Sequence, residues 1–473
     1  MDEITRDPKR EIIEDFAEEI KAHTLTDAKP SKVVIFFRSE HISNTERDVV
    51  RVPIDLLRFR KDNGRIASDV LSYEKDKGPL SERSSAAQTV LRDFLEKNDP
   101  ESTEELVNSI YHSGQRDPAI ITADGFLING NRRKVALLRL FKKYQTDQWK
   151  WMKVVILPGR VDPGGPPTLK EIEQIENRYQ LQREGKSEYS RFNKALSIRN
   201  KINKGMSLVE QLSDDPSFIS LTQKEKDKLL KEYEIDYLEP LSCVDRYLQL
   251  LGREGLYTSI ASGTADKEGR WEAFLDYYAR VRRKLDDANS RNTMGIEEDE
   301  IGDVEEIAFK IIRKREFPEL PKLHMIMRDF SKLISNKEAK KELYKLLDIE
   351  FDLPRTECYN SEGKEYSERE KDQIWGNKNA TKLIGRVKDA KKIVEYETAR
   401  ETPLTLLEAA LKKLNHENMT PEAVAIEDIE KAANWANQIQ TRAHHLYNEF
   451  DHLKNDTKEK LKALKNKYAK NKR

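Results

Sequence analysis

The chain has 473 residues, with 85 Lys plus Arg against 85 Asp plus Glu and only 37% hydrophobic residues. Zero net charge excludes a protein that coats nucleic acid through global basicity, and leaves local basic surfaces open. Mean hydropathy is -0.80 and no apolar run approaches the ~20 residues of a bilayer span, so a cytoplasmic protein without membrane contact is expected. The length suggests about three domains. The start, residues 1–21, is acidic and amphipathic, unlike a secretory signal. Cys243 and Cys358 stand too far apart for a disulfide framework or a zinc motif.

In chain order, β-branched or aromatic runs bounded by breakers predict strands at 32–37, 49–54, 119–122, 126–128 and 153–157. Helical periodicity predicts helices at 82–97, 103–113 and 131–144. Mixed short strands and helices point to an α+β N-terminal domain over 1–160, followed by a Pro- and Gly-rich connector at 158–167. From Thr168 onward the chain is rich in Lys, Glu, Leu and Ala and reads as successive helices. Two helical domains are expected there, 168–290 and 304–473, divided by the acidic stretch 290–306 read as a solvated linker. Residues 352–375 are polar and turn-forming, and are expected to separate two helical blocks.

The segment 106–140 carries the chemistry. A helix ends at Ser113-Gly114, and Asp124-Gly125 makes a hairpin turn. Asn129-Gly130-Asn131-Arg132-Arg133 then leads into an amphipathic helix with Val135, Leu138 and Phe141 inward. A glycine at this junction admits a ligand close to the backbone, and the free N–H groups of the first helical turn face that ligand. Two arginines add multidentate donors suited to phosphate oxygens. The result is a phosphate cradle without Walker spacing. Taken alone, arginine at a helix start more often just makes surface pairs.

In combination, these residues resemble the N-terminal domain of the ParB family, within the wider ParB/sulfiredoxin superfamily. The matching pieces are Asn63-Gly64-Arg65, then Leu106, Ser109, Ile110 and Gly114, then Pro118 and Ile121, then Gly130-Asn131-Arg132-Arg133. Asn131 stands where the family has an acidic residue, and no cysteine adjoins Gly130, which excludes sulfiredoxin thiol chemistry. A second box, Glu176-Asn177 with Gln180, Arg183 and Tyr189, resembles the family's magnesium and phosphate motif with its later residues displaced. The resemblance covers about 49–204, with an insertion of some forty residues between Arg65 and Leu106 that includes an amphipathic helix at 86–94.

The resemblance implies a nucleoside triphosphate, CTP or ATP, with Mg²⁺ as cofactors. Arg65, Gly130, Asn131, Arg132, Arg133, Asn177 and Gln180 would bind the nucleotide. Glu176 and Asn177 would hold the metal, and Glu176 with Arg132 would serve slow hydrolysis. The implied role is a switch in a DNA-linked process: partition, plasmid maintenance, DNA modification or phage defence. The alternatives are a nuclease or small-molecule kinase on the same fold, and a non-catalytic helical adaptor with a vestigial nucleotide site.

The helical half offers candidate partner surfaces. Leu221-Thr222-Gln223-Lys224-Glu225 looks like the start of a degenerate helix-turn-helix, although 231–239 is long for its turn. The run 280–284 (RVRRK) follows Trp271, Phe274, Tyr277 and Tyr278, a stripe that reads as core before it reads as a base-stacking platform. Residues 457–473 carry eight basic side chains and one acidic one, able to hold DNA phosphates or simply to solubilise an end. Leu446, Phe450, Leu453, Leu461, Leu464 and Tyr468 follow an eleven-residue repeat. A short helix docked on its own domain is the first expectation there, and a homodimer coiled coil the second.

Overall fold

The computed structural model describes residues 8–35, 37–38, 46–181, 190–213, 216–260 and 269–470, and the chain divides into two compact units, Met1–Val394 and Glu395–Arg473. The first unit opens with the expected α+β region. Its strands are β1 (Lys32–Val34), β2 (Glu46–Asp48), β3 (Val50–Pro53), β4 (Ala119–Ile121) and β5 (Trp151–Ile156). Its helices are α1 (Glu14–His23), α2 (Ala67–Lys77), α3 (Ser85–Asn98), α4 (Pro100–Ser113), α5 (Asn131–Tyr144), α6 (Leu169–Leu181) and α7 (Arg191–Asn203).

β1 and β2 form an antiparallel pair, and the other strands form a sheet in the order β3-β5-β4. β5 runs antiparallel to β3, with Val52 opposite Met152, and parallel to β4, with Ala119 opposite Val154. Alternation along the strands sorts side chains to two faces. Val52, Ile121, Met152 and Val154 join a core with Leu91, Val107, Val135 and Leu140 of α3, α4 and α5. Ile120 and Val155 join Ile172 and Ile175 of α6 on the other face.

The strand expected at 126–128 supplies only isolated bridges, Arg58 to Phe126 and Ile121 to Leu127. The Asp124-Gly125 turn is tight, and Asn129 Oδ1 takes the Ile120 N–H at 2.8 Å in place of a further strand partner. β2 was not expected, because its Glu-Arg-Asp residues lie on a solvated edge pair and carry no apolar signal.

Residues from Phe192 to Ala390 share one core, built around Tyr247, Trp271, Phe274, Tyr277, Phe309, Phe330 and Trp375. The aromatic stripe before RVRRK is thus core. The acidic stretch 290–306 is not a linker: Met294 and Ile296 are buried, and the Ile301–Lys314 helix starts within it, led by Val304, Ile307 and Ile311. The acids sit on the helix exterior, so local charge conceals an apolar face. Likewise 352–375 does not separate blocks, since the Glu368–Lys378 helix sends Asp372 and Trp375 inward.

A helix-turn-helix at Leu221 is not formed. Helical backbone continues from Gln223 to Leu250, through a widened π segment at Glu234–Leu238. The cause is Pro240, which has no N–H to give and whose ring would collide with the carbonyl four residues back. The helix widens by one residue rather than turning, and the Glu239 N–H reaches the Glu234 carbonyl.

At the centre of the helical core, Asp372 is 2% exposed and meets three buried arginines. Arg253 contacts it at 2.8 Å, Arg270 at 2.7 Å and Arg313 at 2.9 Å. Arg313 also stacks over the Trp375 ring at 4.5 Å.

The second unit contains the distal part of the Ala380–Leu414 helix and the 42-residue Ile429–Lys470 helix. Its apolar positions are uncovered: Leu404, Leu407, Leu411, Trp435, Ile439, Phe450, Leu453 and Leu461 are all exposed. A helix of 42 residues forms where a short one is expected. Among the described residues, no helix is long and apolar enough to cross a membrane.

Candidate functional site

Gly130 is the N-cap of α5 and adopts φ 81°, ψ 12°, a left-handed conformation that glycine reaches without strain. A Cβ built there would lie 2.7 Å from Ala119 Cβ and 3.2 Å from Met152 Cε. The glycine thus serves close packing of the turn on β4 and β5, where the sequence suggested room for a ligand. Gly130→Ala is expected to destabilise the first unit by about 2–4 kcal/mol, combining left-handed strain with overpacking. Urea unfolding reads this directly, and a loss under about 1 kcal/mol would show that the turn yields.

The side chains that follow Gly130 diverge. Asn131 is buried, and its Oδ1 has no hydrogen-bond partner among the described residues. Arg132 reaches Asp99 at 3.2 Å, the residue that caps α4. Arg133 turns the other way and donates to the Asp117 carbonyl. Lys134 enters the core, where it donates to the Leu57 carbonyl and lies 4.1 Å from the Phe59 ring centre. Burial, with Arg58 and Arg92 adding repulsion, pushes the Lys134 amine down to about 7. It went unnoticed among the charges of the motif. Its signal was there, since Leu137, Leu138 and Phe141 stand three, four and seven residues on, along the inward stripe.

The upstream element folds as a single 3₁₀ turn, Gly64–Ile66, with Asn63 Oδ1 accepting from the Arg65 N–H at 3.0 Å. The Arg65 carbonyl accepts from two amides, Asn98 Nδ2 of α3 at 2.8 Å and Asn193 Nδ2 of α7 at 2.7 Å. Asn193 Oδ1 in turn takes the Ser68 N–H at 3.1 Å. Because Asn98 precedes Asp99, Arg65 and Arg132 are linked through two successive residues. Lys204 binds Asp62 at 2.7 Å across the same junction. Burial opposes the Asp62 carboxylate, yet Lys204 and Arg60 hold it below its ordinary range.

The Glu176-Asn177 box meets this turn from α6. Glu176 Oε1 lies 3.5 Å from the Gly64 N–H, and Oε2 lies 3.5 Å from Arg60. Arg60 also binds Glu173 at 3.0 Å, and Lys201 of α7 reaches Glu173 at 3.4 Å and donates to Asn177 Oδ1. Arg60, Lys201, Glu173 and Glu176 are all buried. The oxygens expected to face a metal therefore face two protein cations, and two carboxylates balance them. Among the described residues, no three His, Cys, Asp or Glu side chains gather as a metal site. This donor set does not fit a protein-held divalent ion, because it would add two positive charges to a balanced buried cluster.

Two predicted elements thus meet beside α7, Asn63–Arg65 and Glu176-Asn177, and the start of α5 is tied to them through Asn98 and Asp99. Arg60, Asn98, Asn193 and Lys201 complete the junction, and no motif spacing flagged them. Asn129 Nδ2 and Asn131 Oδ1, on either side of Gly130, and Asn177 Nδ2 of α6 are buried without hydrogen-bond partners among the described residues. The Gln180 side chain, Arg183 and Tyr189 lie outside the described residues. Against protein-family models, curated proteins and solved structures, the chain finds no match.

Proposed function

We propose that this chain is a ParB-like nucleoside-triphosphate-binding switch of the cytoplasm, acting in a DNA-linked process such as partition, plasmid maintenance, DNA modification or phage defence. One observation carries the reading: Glu176 meets the Asn63–Arg65 turn, that turn is tied to Arg132 of α5 through Asn98 and Asp99, and buried amide atoms of Asn129, Asn131 and Asn177 lack partners among the described residues. Unpartnered buried amides cost about 1–3 kcal/mol each, which a hydrogen-bonding ligand would relieve. A triphosphate, CTP or ATP, would lie along the first turn of α5, beside Asn131 and Arg132, with Arg65 and Asn177 on the facing wall.

Phosphate oxygens would compete with Asp99 for Arg132. Asp99 adjoins Asn98, which holds the Arg65 carbonyl together with Asn193 of α7. Occupancy at α5 would therefore be felt where the helical region docks, as a switch requires. Mg²⁺ enters this reading only as the ion that accompanies the triphosphate. Turnover would be slow, because Glu176 is engaged by Arg60 and makes a poor base.

Thermal-shift scanning with the four ribonucleoside triphosphates and Mg²⁺ tests the proposal. One base is expected to raise the midpoint, and Arg132→Ala to weaken its binding about tenfold or more, the worth of a charge-assisted phosphate contact. No shift with any triphosphate, or an Arg132→Ala chain that binds as wild type does, would falsify it and favour an adaptor. Strand scission or phosphoryl transfer to a hydroxyl would point to a nuclease or kinase.

A further inference from the structure

The far end of the α4–α5 pair carries an aromatic stack that the triphosphate reading does not use. The two helices run side by side in the same direction. Arg132 meets Asp99 at their starts, Arg139 meets Glu104 at 3.4 Å further along, and Tyr144 meets Tyr111 at their ends. The Tyr111 and Tyr144 rings are stacked, with centroids 5.1 Å apart and planes 21° from parallel. Tyr111 also stacks on Trp149, at 6.1 Å and 27°, and His112 meets its ring edge-on at 5.1 Å. Trp149 is buried, whereas Tyr111 is 44% and Tyr144 37% exposed. The stack is therefore anchored in the core and open to solvent at its tyrosines.

Charge around the stack is one-sided. Residues 139–153 carry five basic side chains and one acidic one, Asp147. Arg139 is engaged by Glu104, but Lys142, Lys143 and Lys150 are exposed and make no ion pair among the described residues. Lys143 Nζ stands 5.1 Å from the Tyr144 ring centre. The acids of α4, Glu101, Glu104 and Glu105, lie in its first two turns, away from Tyr111. The two helix ends bring about half a negative charge each, which three lysines exceed. We infer that the stack is a docking surface for an unpaired nucleic-acid strand: a base extends it on Tyr144, and Lys142, Lys143 and Lys150 hold the flanking phosphates. Open aromatic rings among unpaired lysines fit that partner, because every base has a π face and every nucleotide a negative charge. A duplex keeps its bases stacked on one another and offers none to a tyrosine. An acidic peptide would use the lysines and leave the rings idle. The inference does not rest on the triphosphate site, which lies at the other end of α5, about 20 Å away for a helix of 14 residues.

Fluorescence anisotropy of the full-length chain with labelled strands, and without added nucleotide, tests this. The probes are an oligo-dT strand, an abasic strand of equal length that keeps the phosphates and lacks the bases, and the dT strand annealed to oligo-dA. The dT strand is expected to bind tightest. Tyr144→Ala should weaken it about tenfold, the order of loss when one stacked base is removed, and leave the abasic strand unchanged. Tyr144→Phe keeps the ring and should bind as wild type does. Lys142→Gln with Lys143→Gln should weaken both single strands and flatten their salt dependence, since each lost phosphate contact lowers the slope. Both lysines are exposed, so this variant keeps its thermal unfolding midpoint and tests the surface even where Tyr144→Ala loosens the helix ends. Equal binding of the dT and abasic strands would assign the affinity to phosphate alone, as the basic tail 457–473 can supply, and overturns the inference. A duplex that binds as well as the single strand, a Tyr144→Ala chain that holds dT as wild type does, or no binding of any strand overturns it too.

Discussion

Replacing Asp372 with asparagine is expected to destabilise the first unit by about 3–5 kcal/mol, the cost of removing one partner from a buried ionic cluster. Asparagine fills the same volume, so no cavity confounds the comparison. What disappears is the negative charge between Arg253, Arg270 and Arg313, all buried and none able to shed its proton. Burial alone would raise the Asp372 carboxyl, but the three guanidinium groups hold it below its ordinary range. A depressed carboxylate stabilises the fold at any pH above its unfolded value, and loses that contribution as pH falls through the folded value. The wild-type advantage over Asp372→Asn should therefore be level near neutrality and shrink only in acid. Arg313→Met on the Asp372→Asn background should recover part of the loss, because one unpaired charge is removed. Urea unfolding followed by tryptophan fluorescence gives these values. A loss below about 1 kcal/mol would mean that the guanidinium groups find water once Asp372 is neutral.

Lys134→Met should act in the opposite direction near neutral pH. The amine titrates at about 7 in the fold and at 10.5 in the unfolded chain. Below about 7 both states hold the proton, and the fold carries the full penalty of a buried ammonium. Between 7 and 10.5 the unfolded chain binds more protons than the native state, so wild-type stability rises with pH by up to about 1.4 kcal/mol per unit. Methionine removes that slope. After allowing about 1 kcal/mol for the Leu57 carbonyl that loses its donor, the variant should be on the order of 3 kcal/mol more stable at pH 7. The advantage should fade by pH 10. A difference that stays constant from pH 6 to pH 10 would show that Lys134 keeps its proton in the fold.

These two residues mark what the sequence could and could not convey. The α+β region was legible because its strands and helices carry their own periodicity; the helix at 131–144 needed only its glycine cap and inward stripe. Of the candidate site, the backbone of its three boxes was legible, since each depends on local form: a one-turn cap at Asn63, a left-handed glycine at 130, a helix at Glu176. Which cations face those boxes was not legible. Arg60 and Lys201 lie 116 and 24 residues from the atoms they contact in the Glu176-Asn177 box, and a lone basic residue carries no sign of its distant partner. The same applies to Asp372, set in a polar stretch that reads as a loop until three arginines from three other segments are placed around it. Pro240 shows the reverse case, where a local breaker is absorbed by one wide turn and the helix runs on.

The order of strands in the sheet has a consequence for how the protein is made. β5 lies between β3 and β4 yet is the last of the three in the chain. As the polypeptide leaves the ribosome, β3 with Leu25 at one side and β4 with the 126–128 segment at one side emerge before the strand that joins them, and the delay from Pro53 to Ile156 is roughly 5–20 s at ordinary translation rates. Through that interval two apolar strand edges stand open. Nascent chains halted before Trp151 are thus the species most exposed to aggregation, and a chaperone that attends the ribosome would find its client there.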